Sequence, residues 1–164
     1  RIAGPRGQRR VAVASFVLAP GRSVLQPGEL LVEIEIPAPG RESADAYQRF
    51  TPRSEMDIAV VGVAARIQLD KTRCVGATVV LGAVGPTCIV AAEAAARLVG
   101  ADFGGDPLHV PELQAAAEAA RQVAQPLTDM RGTAELRRHI VGVLVARVVA
   151  QAAHRAATRA SRIS

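Results

Sequence analysis

The side chains best suited to chemistry lie in one stretch, AYQRFTPRSEMDIAVVGVAARIQL, at residues 46–69. It begins with the only tyrosine, Tyr47, and continues with four charged residues within nine positions: Arg49, Arg53, Glu55 and Asp57. An apolar, strand-like run follows directly, and a polar loop set against a buried strand holds side chains on a rigid base. The alternative interpretation is an ordinary surface turn whose charges are solvated. Arg49 and Arg53 flank Glu55 and Asp57, which favours mutual neutralisation over acid–base catalysis.

Other catalytic and ligand-binding patterns are weak in this sequence. It contains no glycine-rich nucleotide-binding motif, no nucleophile elbow and no zinc-protease motif. Gly82 and Gly85 fall where a strand gives way to a helix, but two glycines in four residues are too common to predict phosphate binding. Cys74 and Cys88 are expected to be buried, reduced thiols, and the histidines show no ligand spacing with them. We therefore predict no catalytic residue and no metal site in this chain.

Composition predicts a folded protein with an aliphatic core. Of the 164 residues, 49% are hydrophobic and only 2% are aromatic, and the net charge of +5 is carried almost wholly by arginine. Single-stranded nucleic-acid binders stack bases on aromatic residues, which are scarce here, so no nucleic-acid partner is predicted. The uncharged run at 74–92 approaches the length of a membrane span, but glycines and Pro86 interrupt it, so no transmembrane segment is predicted. No signal peptide is visible, which predicts a cytoplasmic location.

The hydrophobic pattern predicts strands first and helices afterwards. Strands are expected within 11–18, 30–36, 46–51, 58–69 and 73–84, and helices near 88–99, 111–124 and 133–158. The strands within 58–69 and 73–84 should form an antiparallel hairpin, because a short polar connection joins them. The last helix should begin at Thr133, a favourable N-cap residue. This order predicts an α+β fold in which an antiparallel sheet of three to four strands packs against about three helices.

The beginning of the chain differs in character from the rest. Residues 1–10 contain four arginines and no acidic residue, and they are expected to form a loose basic lead-in. Residues 30–36 alternate apolar with acidic side chains, which is typical of a strand with one wet face. Prolines and a glycine at 37–40 predict a domain boundary near residue 40.

Three segments resemble, in order, a known protein family. They are RFTPRSEMDIAVVGVAARI at 49–67, GAVGPT at 82–87 and DMRGTAELRRHIVGVLVARV at 129–148. These are similar to the C-terminal domain of the FAD-binding (medium) subunit of molybdenum hydroxylases, such as aerobic carbon monoxide dehydrogenase and xanthine dehydrogenase. Residues 14–37 resemble the end of that subunit's FAD-binding domain. The resemblance thus implies that 1–40 is a partial FAD-binding domain and that 41–164 is the flavoprotein C-terminal domain.

The resemblance implies an oxidoreductase subunit that passes electrons from [2Fe–2S] clusters through FAD to an external acceptor. The molybdenum cofactor and the clusters would belong to partners, a large molybdenum subunit and a small iron–sulfur subunit, in a heterotrimer or a dimer of heterotrimers. The family's main FAD-binding loops match nothing in these residues, so the isolated chain is not expected to be active. The alternative is a non-catalytic protein-interaction domain of the same fold that does not bind flavin.

The resemblance also assigns roles at FAD to five residues of this chain. Leu31 matches a position that packs on the isoalloxazine ring, and Tyr47 is placed where it could cover one ring face. Arg49 matches a position that is frequently lysine near the flavin, and Arg53 and Asp57 belong to a loop close to the ring. These residue types suit the cofactor, because a guanidinium stabilises the negative charge of reduced flavin and a stacked aromatic ring excludes water.

Overall fold

The computed structural model describes residues 1–40, 42–53 and 57–161. These residues form two compact units, Arg1–Ala38 and Pro39–Ser164.

The first unit consists of short antiparallel strands. Strands β1 (Ile2–Gly4), β2 (Gly7–Arg9) and β5 (Leu30–Leu31) form a sheet in the order β2-β1-β5, while β3 (Val17–Ala19) pairs with β4 (Arg22–Ser23). Gly7 and Gly21 have φ of 104° and 69°, which a residue without a β-carbon adopts at low cost in these tight turns.

Of three predictions for the first unit, one was wrong and two were met only in part. Residues 1–10 form the β1–β2 hairpin and are not a loose lead-in. Within 11–18 a short 3-10 turn comes first, and strand geometry begins only at Val17. The expected strand at 30–36 ends at Leu31, and residues 32–36 are all exposed. Alternation predicts a half-buried strand only where another layer covers one face, and within residues 1–38 no layer covers these side chains.

The second unit is built on one antiparallel sheet. Its strands are β6 (Ser43–Phe50), β7 (Val61–Asp70), β8 (Arg73–Gly82) and β9 (Ile89–Val90), in the order β6-β7-β8-β9. Asp70 pairs with Arg73, so the β7–β8 hairpin predicted from the sequence is confirmed. The turn between them places Lys71 at φ 56°.

Three helices follow in the described part of this unit: α1 (Ala92–Leu98), α2 (Pro111–Val123) and α3 (Ala134–Ser161). The start of α3 agrees with the sequence, since the Leu136 amide donates to the Thr133 hydroxyl at 3.1 Å, which confirms Thr133 as an N-cap. Helix α1 begins later than predicted because Ile89 and Val90 pair with β8 as a short edge strand. The predicted α+β fold is confirmed, with four strands and three helices among the described residues of this unit.

One face of the sheet carries the core. Strand β7 alternates so that Val63, Ala65 and Ile67 are buried while Arg66 and Gln68 are exposed. Helix α3 packs on β6 and β7 and beside α2. Its length and apolar composition would also suit a membrane span, but most of that stretch is buried within the fold, as in the central helix of a folded domain. Side chains on the opposite face of the sheet remain accessible.

The two cysteines differ in environment. Cys74 is buried at the start of β8, as predicted, and burial raises the pKa of its thiol. Cys88 is exposed, so the prediction that both are buried was wrong. It lies in the connection just before β9 and not in the apolar strand that surrounds Cys74.

The alternation of β7 can be tested with two adjacent residues. Ile67→Ala is expected to lower the free energy of unfolding by about 2–5 kcal/mol, because Ile67 is fully buried and its truncation leaves a cavity. Gln68→Ala, on the exposed face, should change it by no more than roughly 0.5 kcal/mol. Urea unfolding followed by circular dichroism measures both, and equal losses would contradict the assignment of the two faces.

Candidate functional site

Tyr47 and Arg49 lie on the open face of the sheet. They are two positions apart in β6, so their side chains share one face. Tyr47 is 60% exposed, and Arg49 is also exposed and pairs across the strands with Gly62 of β7. The phenol ring leans over Gly62, since a β-carbon there would lie 3.1 Å from the Tyr47 hydroxyl oxygen. The glycine therefore leaves the space in which this aromatic ring rests.

Gly62 faces a second glycine on the next strand. Gly82 of β8 is its register partner, and a β-carbon on Gly82 would meet only the Gly62 carbonyl oxygen, at 3.9 Å. That distance is an ordinary van der Waals contact. The two glycines thus differ sharply: a methyl group at position 62 would press on Tyr47, and one at position 82 would not.

Asp57 is the centre of a charged cluster just before β7. Its side chain is only 4% exposed, and its two carboxylate oxygens lie 3.3 Å from Arg131 Nε and 3.4 Å from Arg53 Nε. The Ile58 amide donates to the same carboxylate at 2.8 Å. Burial opposes ionisation of this group, but these three donors outweigh it and hold the pKa of Asp57 below its usual value.

A second ion pair supports the turn that carries Arg131. Asp129 Oδ1 accepts hydrogen bonds from the Arg131 amide at 2.8 Å and from Arg137 Nη2 at 2.6 Å, and these lower the pKa of Asp129. The side chain of Arg137 is 8% exposed, and its Nη1 donates to the Val60 carbonyl at 3.4 Å. Its buried Nε has no hydrogen-bond partner among the residues that the structure describes.

The five residues to which the sequence assigns roles thus occupy three places. Tyr47 and Arg49 share the open sheet face, and Arg53 and Asp57 form an ion pair, as the neutralisation interpretation predicts. Glu55 lies outside the described residues. Leu31 belongs to the other unit, where it lines an apolar cleft of about 400 Å³. The roles of these residues at FAD stay predictions.

Sequence reasoning missed the partners that the entry to α3 supplies. Arg131 meets Asp57 across 74 positions of sequence, a distance over which local patterns carry no information. The only available signal was the high density of charge in residues 129–138, directly before an apolar run.

Comparison with known proteins confirms the family that the three sequence segments resemble. Residues 46–152 match the CO dehydrogenase flavoprotein C-terminal domain. The chain is 34% identical over 155 residues to the carbon monoxide dehydrogenase medium chain of Afipia carboxidovorans, covering 94% of this chain and 52% of that protein. It is 30% identical to a putative xanthine dehydrogenase FAD-binding subunit of Escherichia coli, covering 92% of this chain and 50% of that protein.

Solved structures show the same relationship. A chain of Cu,Mo-CO dehydrogenase in its cyanide-inactivated form superposes with a TM-score of 0.83 at 33% identity, covering 94% of this chain and 52% of that chain. Quinoline 2-oxidoreductase from Pseudomonas putida 86 superposes with a TM-score of 0.84 at 31% identity, covering 95% of this chain and 52% of that chain. The present chain therefore spans about half the length of the proteins that it matches.

The lowered pKa of Asp57 predicts a pH-dependent contribution to stability. A carboxylate whose pKa is lower in the folded state stabilises the fold above its unfolded pKa of about 3.9, and this contribution is lost as the pH falls through the lower folded value. Asp57→Asn should therefore reduce the melting temperature at pH 7 and have a shrinking effect as the pH is lowered from 5 towards about 2.

Asp70→Asn provides the control, since Asp70 is an exposed carboxylate at the end of β7. Differential scanning calorimetry of both variants and the wild type across this pH range gives the comparison. A gap between wild type and Asp57→Asn that keeps its size at every pH would show that the ion pairs of Asp57 do not stabilise the fold.

Proposed function

This chain belongs to the family of CO dehydrogenase flavoprotein C-terminal domains, and we propose that it is part of the flavoprotein subunit of a molybdenum hydroxylase. In this role the subunit passes electrons from [2Fe–2S] clusters through FAD to an external acceptor. The observation that carries the proposal is the agreement of sequence and fold with such subunits over nearly the whole chain. The proposed partners are a large molybdenum subunit and a small iron–sulfur subunit, and the proposed location is the cytoplasm.

The residues on the open sheet face suit FAD chemically. FAD, when bound, supplies a ring that accepts electrons and releases them to an acceptor. Tyr47 presents an exposed aromatic surface that can stack on a planar ring and keep water away from it. Arg49 extends from the same face and brings a permanent positive charge, which stabilises negative charge on a reduced ring. An aromatic ring and a cation side by side therefore match the planar shape and the charge of a reduced isoalloxazine.

The remaining proposed contacts lie on either side of this pair in sequence. The side chain of Arg53 is 74% exposed, and its Nε forms an ion pair with Asp57. The positive charge of Arg53 is therefore held at the surface. Leu31 offers an apolar side chain that is 44% exposed, suited to packing on a ring. Because the chain spans about half the length of its relatives, the main FAD-binding groups are proposed to lie upstream.

The first test concerns retention of the cofactor. The 164-residue chain alone is expected to lose FAD during gel filtration, because the proposed site lacks its principal binding groups. Co-expression with the N-terminal half of the Afipia carboxidovorans medium chain should yield a yellow complex that retains FAD. Absorbance at the flavin bands, relative to protein, measures the occupancy of both samples.

Two outcomes would contradict this expectation. Stoichiometric FAD in the isolated chain would show that the binding groups are misplaced. A folded complex with the N-terminal half that carries no FAD would favour the alternative, an interaction domain of the same fold that does not bind flavin.

The second test concerns Tyr47 and Arg49 in the assembled enzyme. Tyr47→Ala should change the rate of flavin reoxidation, because one ring face loses its cover. Arg49→Ala should lower the flavin potential, because a positive charge near the reduced ring is removed. Oxidation of substrate at molybdenum should be nearly unchanged, since that chemistry belongs to another subunit. Stopped-flow traces separate the two half-reactions.

The two glycines of the sheet supply matched controls. Gly62→Ala presses on the Tyr47 hydroxyl and should alter reoxidation in the same direction as Tyr47→Ala, though less. Gly82→Ala adds the same methyl group to the neighbouring strand without touching Tyr47, and it should leave reoxidation unchanged. If all four variants fold and reoxidise at the wild-type rate, Tyr47 and Arg49 serve only the structure of the sheet.

A further inference from the structure

Two carboxylates and three arginines join the turn before α3 to the residues that lead into β7. We refer to Arg53, Asp57, Asp129, Arg131 and Arg137 together as the clasp. Each carboxylate of the clasp accepts from two arginine residues: Asp57 from the Arg53 and Arg131 side chains, and Asp129 from the Arg137 side chain and the Arg131 amide.

Arg137 fixes one side of the clasp. Its side chain is 8% exposed, and it connects Asp129 of the turn, at 2.6 Å, with the Val60 carbonyl next to β7, at 3.4 Å. Moving either partner away would leave a buried guanidinium without compensation, which is energetically costly. The turn at 129–132 is therefore held at a fixed place relative to the start of β7, whether or not the Arg131 side chain is present.

Arg131 extends from this fixed turn. Its amide is bound to Asp129 at 2.8 Å, and its Nε lies 3.3 Å from Asp57 Oδ1. Its side chain is 33% exposed and that of Asp57 is 4% exposed, so the ion pair is partly shielded from water, and its loss would leave a buried carboxylate with fewer donors. A partly shielded ion pair that starts from a fixed turn is well suited to setting the position of its partner.

Asp57 transmits this position to Arg53. One carboxylate oxygen accepts from Arg131 while the other lies 3.4 Å from Arg53 Nε. The Arg53 side chain is 74% exposed, and among the residues that the structure describes this contact with Asp57 is the one that restrains it. Asp57, which is held by Arg131 of the turn before α3, thus orients the exposed guanidinium of Arg53.

We propose that Arg131 is a positioning residue for the flavin site: through Asp57 it fixes the guanidinium of Arg53 where that charge can act on FAD. The inference rests on the proposed function and adds to it a residue from the entry turn of α3, 74 positions from Asp57 in sequence. The turn itself is secured independently by Arg137. Removing the Arg131 side chain should therefore release Asp57 and Arg53 without displacing the turn.

The experiment compares Arg131→Ala with the wild type in two preparations. In the 164-residue chain, hydrogen exchange at the Ile58 amide, which donates to Asp57, should become faster in the variant. In the complex with the N-terminal half of the Afipia carboxidovorans medium chain, the dissociation constant for FAD should rise roughly fivefold in the variant. This is a modest effect, as expected for a disturbed charge-assisted contact. The flavin midpoint potential should fall in the same sample.

Two further variants make the comparison specific. Arg131→Lys keeps the charge but lacks the planar fork, and it should restore part of the FAD affinity and potential. Arg97→Ala removes the same charge from an exposed ion pair on α1 and should leave both at wild-type values. If Arg131→Ala does not fold, Arg131→Lys against wild type provides the same test with a smaller effect.

The outcomes separate this inference from the proposed function. A wild-type complex that binds no FAD overturns both. A wild-type complex that binds FAD, with unchanged affinity and potential in Arg131→Ala, overturns the positioning role and leaves the proposed function in place. Unchanged Ile58 exchange in the isolated chain would likewise show that Arg131 does not control Asp57.

Discussion

Helix α3 packs its apolar residues on one face of the sheet, against β6 and β7, and beside α2. This contact determines the arrangement of the second unit. It places Val63 and Ile67 of β7 in the same core as Val141 and Val145 of the helix, and it directs the alternate residues of each strand outward. Because a strand sends neighbouring side chains to opposite faces, Tyr47 and its neighbour two positions on must occupy the open face. The core and the candidate site are therefore two results of the same packing.

The beginning of α3 has a second role in this arrangement. A long helix leaves its first amide groups without partners inside the helix, and the side chains of Thr128 and Thr133 satisfy two of them. The same short turn carries Asp129 and Arg131, so the segment that caps the helix also reaches the loop before β7. The turn before α3 therefore caps the helix, docks it on the sheet and supports the charged cluster.

Sequence reasoning succeeded for those parts of the fold in which local pattern and burial agree. The β7–β8 hairpin followed from two apolar runs with a polar connection, and the start of α3 followed from Thr133. The prediction for residues 30–36 was met only at Leu30–Leu31, because alternation indicates which side chains can share a face and not whether anything covers that face. The contact between Asp57 and Arg131 depends on how α3 docks, which no local segment encodes. By contrast, the placement of the two open-face residues of β6 needed only the two-residue period of a strand.

The contrast between Cys74 and Cys88 has a practical meaning for spectroscopy. The chain contains two thiols, of which one is enclosed in the core and one is open to solvent. A maleimide dye or nitroxide would react at Cys88 while the buried thiol, with its raised pKa, stays largely protonated and unreactive. The native sequence therefore offers a single labelling position next to the edge strand β9. Fluorescence anisotropy or electron paramagnetic resonance could then test whether this chain associates with the proposed partner subunits, without introducing a new cysteine.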